Sequence, residues 1–169
     1  MENKIQTRKH NNEYGVNPLD GESVRKEFSD VGDFDKNGEM HCVDLTKWFV
    51  NSFTTLNYSN GNGCDQVYNT AKLNNVTDEI KTTPCAPSIF SVKGGTYGPG
   101  IKEGSVSDVE AGHTGVVVAC EYIGNGKYSI TYIDTYNGYD NGGYKANLKT
   151  KTFDESDNVT YLNLSKFLK

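Results

Sequence analysis

Between Asp33 and Asp44 the chain reads D-F-D-K-N-G-E-M-H-C-V-D, and two chemistries overlap there. Asp33, Asp35 and Asn37 alternate, Gly38 follows, and Asp44 closes the run. Hard cations such as Ca²⁺ take several oxygen ligands, and alternating Asp/Asn ahead of a turn-forming Gly offers them. Cys42 lies in the same run, directly before a helical pattern. A cysteine at a helix start sits where the dipole favours the thiolate, the nucleophilic form. Farther on, His113, one of three histidines, opens the strongest strand pattern of the chain. A lone histidine at the edge of a strand is more often structural than catalytic. A thiol nucleophile, however, needs a base to take and return its proton, and the base needs a polar group to orient its ring. Asp134, on the strand after His113, is the natural candidate for that orienting group.

These residues need elements to hold them. From Val43 to Phe53 the pattern is helical: Leu45, Trp48, Phe49 and Phe53 make one apolar face. Packing that face in the core would keep Cys42 rigid. Ser23 to Phe28 reads as one or two helical turns, and Cys64 to Leu73 as a second short helix. Tyr58 to Gly63 is Asn/Gly-rich loop, and Asn74 to Pro87 is polar and broken by Pro84 and Pro87. Ser88 to Val92 is a short strand candidate. Lys93 to Gly112 is a long glycine-rich loop, a kind of segment that often carries function.

Val116 to Cys120 is near-continuously apolar, as a buried central strand should be. Gly124-Asn125-Gly126 gives a hairpin turn, and Tyr128 to Tyr136 returns with strand alternation. Strand-like pieces near Lys149 to Phe153 and Val159 to Leu164 could complete a sheet. Helices first and antiparallel strands after them define the α+β class. A symmetric turn at Asn125-Gly126 would leave Asp134 on the face of His113 but about four residues along, roughly 13 Å away. A bulge or asymmetric loop would bring it opposite. Otherwise Tyr136 is nearer, and Asn137 serves if a bulge flips its face.

Composition narrows the partners. The chain has 169 residues, which favours one domain, and residues 1 to 20 read as a polar N-terminal arm ahead of it. The net charge is -5 at a sequence pI of about 5.2, against nucleic acid as the main partner. No apolar run approaches a membrane span, and Met1 to Tyr14 lacks the apolar centre of a secretory signal. The cysteines, Cys42, Cys64, Cys85 and Cys120, form no C-x-x-C pair. The last three read as free, mostly buried thiols.

A cysteine opening a helix early and a histidine opening a central strand later is the order of papain-like cysteine hydrolases. The resemblance becomes specific in four motifs: the run Asp33 to Asp44, G-N-G at 61–63, G-H-T-G-V-V-V from Gly112, and I-D-T-Y-N-G ending at Gly138. Together they resemble a CHAP domain, the cysteine, histidine-dependent amidohydrolase/peptidase family of the NlpC/P60 group. The sequence is most similar to the calcium-binding CHAP domains of phage endolysins. The resemblance implies a papain-like fold, with N-terminal helices packed on a central antiparallel sheet and a single catalytic domain over 21–169. It implies Cys42 as nucleophile and His113 as base. Asp134 stands where such domains usually carry Glu, and Asn137 lies close to a second polar position. Asp33, Asp35 and Asp44 would bind one structural Ca²⁺ by side chain, with Asn37 and Glu39 at positions where the family offers backbone carbonyls.

The substrate implied is bacterial peptidoglycan, cut at an amide by an endopeptidase or N-acetylmuramoyl-L-alanine amidase. The protein would be a monomeric phage or mobile-element lysin, or a secreted wall-remodelling enzyme, released by lysis machinery or another export route. Three departures stand out: His41 replaces the usual Gln before the nucleophile, Pro87 is followed by Ser88 and Ile89 rather than Gly-Asp, and the Asp134 region is one residue shorter.

Two other readings compete. As an EF-hand, Asp33, Asp35, Asn37 and Gly38 would take positions one, three, five and six, with Asp44 at twelve, making the protein a non-enzymatic calcium-binding module. That reading shows no second loop and leaves the His113 hairpin unexplained. The other keeps the fold and the Cys-His pair but passes the acyl group to an amine, as an acyltransferase.

Overall fold

The computed structural model describes residues 16–36, 41–135, 139–140 and 143–169, with 139–140 and 143–144 as backbone only. Asn37, Glu39 and Asn137 lie outside the described residues.

Helix α1 spans Gly21–Val31. Asp20 caps it, accepting from the Ser23 amide at 3.4 Å and the Ser23 hydroxyl at 3.0 Å. Gly32, at φ 66°, ends it by donating its N–H to the Phe28 carbonyl. The helix is longer than the one or two turns expected, because this cap and stop lie outside the Ser23–Phe28 stretch. Val24 and Phe28, four apart, are its buried stripe. Val16 already belongs to the core, so packing begins within the segment expected to be an arm.

Helix α2, Cys42–Phe53, is buried along most of its length. Leu45, Phe49 and Phe53 have no exposure, and each such side chain contributes ~1.5–3 kcal/mol by leaving water. Its rings interlock, with Trp48 to Phe53 at 5.4 Å, Phe49 to Phe53 at 4.8 Å, and Phe28 of α1 to Trp48 at 5.3 Å. Helix α3, Gln66–Leu73, follows a 3₁₀ turn at Gly63–Asp65.

The strands are β1 (Ile80–Lys81), β2 (Ser88–Val92), β3 (His113–Gly124), β4 (Lys127–Asp134), β5 (Tyr139–Asp140), β6 (Gly143–Tyr144), β7 (Asn147–Asp154) and β8 (Val159–Asn163). Six form one sheet in the order β1-β8-β2-β3-β4-β7, with every neighbour antiparallel; β5 and β6 pair separately. The fold is therefore α+β with a central antiparallel sheet. The helices pack on one face, where Val116, Val118, Ile133, Ile89 and Leu162 meet the side chains of α1, α2 and α3. The other face carries Phe90, Val117, Ile130, Tyr132 and Tyr161, with Ile101 from the 93–112 loop against them.

The β3–β4 turn has Asn125 at φ 55° and Gly126 at φ 71°, the doubly positive geometry that Asn-Gly supports. The 93–112 loop holds itself together. Ser107 donates its N–H to the Thr96 carbonyl and its hydroxyl to the Lys93 carbonyl, and the Asp108 carboxylate accepts from the Glu110 and Ala111 amides. Among the described residues no helix is long and apolar enough to cross a membrane.

Candidate functional site

The start of β3 places His113 on the face of Val92 and Phe90, and the pairing that places it is regular from Val92–His113 to Ser88–Val117. Behind it, Gly63 lies so close that a Cβ there would stand 2.8 Å from the His113 carbonyl carbon. Ser91 fixes Gly63 by donating to its carbonyl at 2.7 Å and accepts the Val67 amide at the head of α3. The G-N-G motif therefore has a local reason: the glycine lets the 3₁₀ turn press onto the histidine's backbone.

His113 Nε2 and Asp134 Oδ2 are 2.9 Å apart, and both residues are only 1% exposed. The route by which Asp134 arrives is the bulged one. At the turn Gly124 pairs with Lys127, but at the other end Val116 pairs with Ile133. Two irregularities, between Val117 and Ala119 and between Tyr122 and Gly124, shift the register along the hairpin. Extending the Val116–Ile133 pair puts Asp134 beside Gly115, two residues from His113 and on the same face. That diagonal is within reach of a side-chain hydrogen bond.

Cys42 is near enough to act on the ring's charge. Asp134 holds Nε2, so Nδ1 is the ring nitrogen that remains for proton exchange with the thiol. Burial works against a charge on His113, but the hydrogen bond to Asp134 and the influence of nearby Cys42 outweigh it and raise its pKa to about 9. An imidazolium is thus favoured at neutral pH. At the start of α2 the amides of Cys42 and Val43 have no backbone acceptor among the described residues, as expected of the first turn of a helix. Such orphan donors suit a developing oxyanion. His41, the N-cap of α2, is half-buried beside them.

Sequence reasoning missed one contributor. Gly100, at φ 85°, lies over the His113–Asp134 pair: a Cβ there would stand 2.4 Å from Asp134 Oδ2 and 2.5 Å from His113 Nε2. Its amide bonds the Tyr132 phenol oxygen, tying the loop to β4. This backbone seals the hydrogen bond from water. Five glycines precede Gly112 in that loop, and nothing in their spacing singles out Gly100.

The acidic run also converges. Oxygens of Asp33, Asp35 and Asp44 lie within 4.8 Å of one another. Asp44 Oδ2 accepts the His41 amide at 2.9 Å, but no donor among the described residues reaches its buried Oδ1. Burial first, then the charges of Asp35 and Asp33, push the Asp44 carboxyl up to about 6 despite that amide. Asp35 is held low: burial opposes its charge, but hydrogen bonding with Asp44 and Asp33 and the Lys47 ammonium at 3.4 Å prevail. Two all-oxygen carboxylates around a buried, donor-less Asp44 oxygen fit a hard divalent cation. Zinc would need nitrogen or sulfur donors, which these three residues do not supply.

Cys64, Cys85 and Cys120 are free thiols. Burial raises the pKa of each, as for inert structural cysteines, Cys85 to about 11. No family model matches the chain, and no curated protein matches it either.

Proposed function

We propose that the protein is a papain-like cysteine amidohydrolase, of the CHAP type its motifs resemble, that hydrolyses an amide bond in bacterial peptidoglycan. One observation carries the reading: the buried imidazole of His113 is held by the Asp134 carboxylate at 2.9 Å, with Cys42, at a helix start, near enough to act on its charge. That is a nucleophile, a base and an orienting group.

Asp134 holds the Nε2 proton of His113 and fixes the ring. The Cys42 sulfur, its proton passed to Nδ1, attacks the amide carbonyl carbon. The oxyanion forms at the first-turn amides of α2. The imidazolium returns the proton to the leaving amine and the C–N bond breaks, leaving a thioester on Cys42. Water, deprotonated by His113, then attacks the thioester and releases the acid with the free thiol. Asp33, Asp35 and Asp44 would hold Ca²⁺, which supplies charge neutralisation and braces the loop leading into Cys42. His41 and Asp44 couple the two sites, because the amide that Asp44 accepts precedes the nucleophile.

The test is digestion of purified cell walls with mass spectrometry of the fragments. New amine and carboxyl ends produced by wild type and not by Cys42→Ala are expected, and their identity names the bond. Walls left intact by an alkylation-competent protein would overturn the reading. Incorporation of an added amine in place of water would redirect it to acyl transfer.

A further inference from the structure

An open cavity of about 600 Å³ is lined by Gly100, which covers the His113–Asp134 pair, and by Gly112, next to His113 in sequence. Tyr132 and Ile101, both buried, make its apolar floor, and Lys102, Lys149 and Lys151 stand at its rim. Lys149 pairs with Tyr132 and Lys151 with Ile130, so both lysines stand on the Tyr132 face of the sheet. Elsewhere in this acidic chain Lys26, Lys47, Lys127 and Lys166 each pair with a carboxylate. No described carboxylate forms an ion pair with the three lysines of the cavity. Of the two acids that line it, Asp108 spends its carboxylate on the Glu110 and Ala111 amides, which leaves Glu103.

Charged side chains on an edge strand also discourage sheet pairing, and β7 is an edge. That role needs no cavity and no common face. Here both lysines of β7 converge with Lys102 of the loop over an apolar floor, next to the cover of the His113–Asp134 pair.

We propose that this cavity is a substrate subsite for a peptide carboxylate, with Lys149 and Lys151 holding the anion and Tyr132 and Ile101 packing the adjoining aliphatic side chain. The proposal rests on the hydrolase reading for its role in turnover, but the binding itself does not. Peptide stems of cell walls carry carboxylates beside the amides to be cut, so the subsite would set which amide reaches Cys42. The ammonium groups are point charges, and selectivity for a peptide over a simple anion comes from the apolar floor.

The experiment uses the Cys42→Ala protein, so that binding is read without turnover. Acetyl-tetra-alanine with a free carboxyl terminus and the same peptide as its carboxamide are titrated by NMR, with inorganic phosphate as a third ligand. The free acid should shift Gly100 and Ile101 resonances and bind about tenfold tighter than the carboxamide, a margin that added salt erodes. Lys149→Met with Lys151→Met should remove that margin, and the unchanged remainder of the spectrum reports that the fold is kept. Equal binding of acid and amide, or a margin that survives the double substitution, would overturn the proposal. Phosphate binding as tightly as the acid would overturn it too, since the floor would then contribute nothing. If wild type leaves walls intact while the acid still binds here, the hydrolase reading falls and the subsite stands.

Discussion

Two sites hold buried carboxylates, and they resolve their charge in opposite ways. Asp134 faces one base, His113, at 2.9 Å. The pair is self-sufficient: burial penalises each charge, and each partner repays the other. Asp44 instead faces Asp35 and Asp33, and its carboxyl is pushed up to about 6. Among the described residues Lys47 pairs with this cluster, and it reaches Asp35 rather than Asp44. Desolvation alone therefore does not distinguish the two carboxylates; the sign of the neighbouring charge does. The first site sets a carboxylate against a base, and the second sets carboxylate against carboxylate.

The comparison breaks most sharply at the thiol. Cys42→Ala should lower wall hydrolysis by at least about 10³-fold, because no other group can form the thioester. Its melting temperature should stay near wild type, since α2 is held by Leu45, Phe49 and Phe53. The same substitution at Cys64, Cys85 or Cys120 should leave the rate intact. A lytic Cys42→Ala, followed by turbidity, would remove the first site's chemistry altogether.

Next in size is the cover. Gly100→Ala forces a side chain to φ 85° and into Asp134 and His113. Displacing the ring by about 1 Å costs ~10²-fold in rate. Cys42 alkylation by iodoacetamide should slow with it, which a change confined to substrate binding would not produce. Wild-type rates of both alkylation and hydrolysis would show that Gly100 is only a turn residue.

The pH dependence separates the two sites by sign. The His113 pKa is raised to about 9, from an ordinary 6.5. A raised base contributes stability that is complete below the unfolded pKa and is lost as pH rises through about 9. Activity should fall along the same alkaline limb, because the leaving amine loses its proton donor. Asp134→Asn should move that limb toward neutrality. A limb that Asp134→Asn leaves in place would mean that Asp134 does not set the charge of His113.

Much of this was legible in the sequence. The apolar spacing Leu45, Trp48, Phe49, Phe53 located α2, and with it Cys42 at the helix start. Asn125-Gly126 located the hairpin. The acidic spacing brought Asp33, Asp35 and Asp44 together correctly. The register was only half legible: Gly124, at φ 96°, flanks the irregularity at the turn, but the one at Val118 lies in the run Val117-Val118-Ala119 with no Gly or Pro to mark it. Their effect is to carry Asp134 to a diagonal from His113, which the symmetric turn would not allow. Lys47 was invisible for a related reason: a lysine between apolar helix positions reads as solvent-facing, yet it is 7% exposed beside Asp35.

At the acidic site, chelation is the direct probe. Ca²⁺ binding only the folded state should add about 2.7 kcal/mol at a hundredfold excess over Kd. That corresponds to roughly 5–10 °C in melting temperature. Asp44 supplies a pH signature. Its pKa is raised from 3.8 to about 6, so metal-free protein loses this contribution as pH climbs from 3.8 through about 6. Saturating Ca²⁺ should remove that slope, and Mg²⁺ should do so less well because it keeps its waters and octahedral geometry. Identical melts in EDTA and in Ca²⁺ would reduce the run to a solvated turn.

The smallest effect is the most discriminating. Lys47 Nζ lies 3.4 Å from Asp35 Oδ2 at the edge of the cluster. Asp35 is partly open to solvent, so the pair is worth about 1 kcal/mol or less. Lys47→Met keeps the buried aliphatic stem and removes the charge. In EDTA it should lower the melting temperature by about 2–4 °C. In saturating Ca²⁺ the loss should vanish, because the metal then neutralises Asp35, and removing a neighbouring positive charge should also tighten Ca²⁺ binding. The stabilisation by Ca²⁺ therefore grows in the variant. Calorimetric melts of both proteins with and without Ca²⁺ form a thermodynamic cycle that reads this coupling. An equal loss in both conditions would make Lys47 a packing residue, and a weaker Ca²⁺ affinity in the variant would mean that its ammonium orders the ligands rather than standing in for the ion.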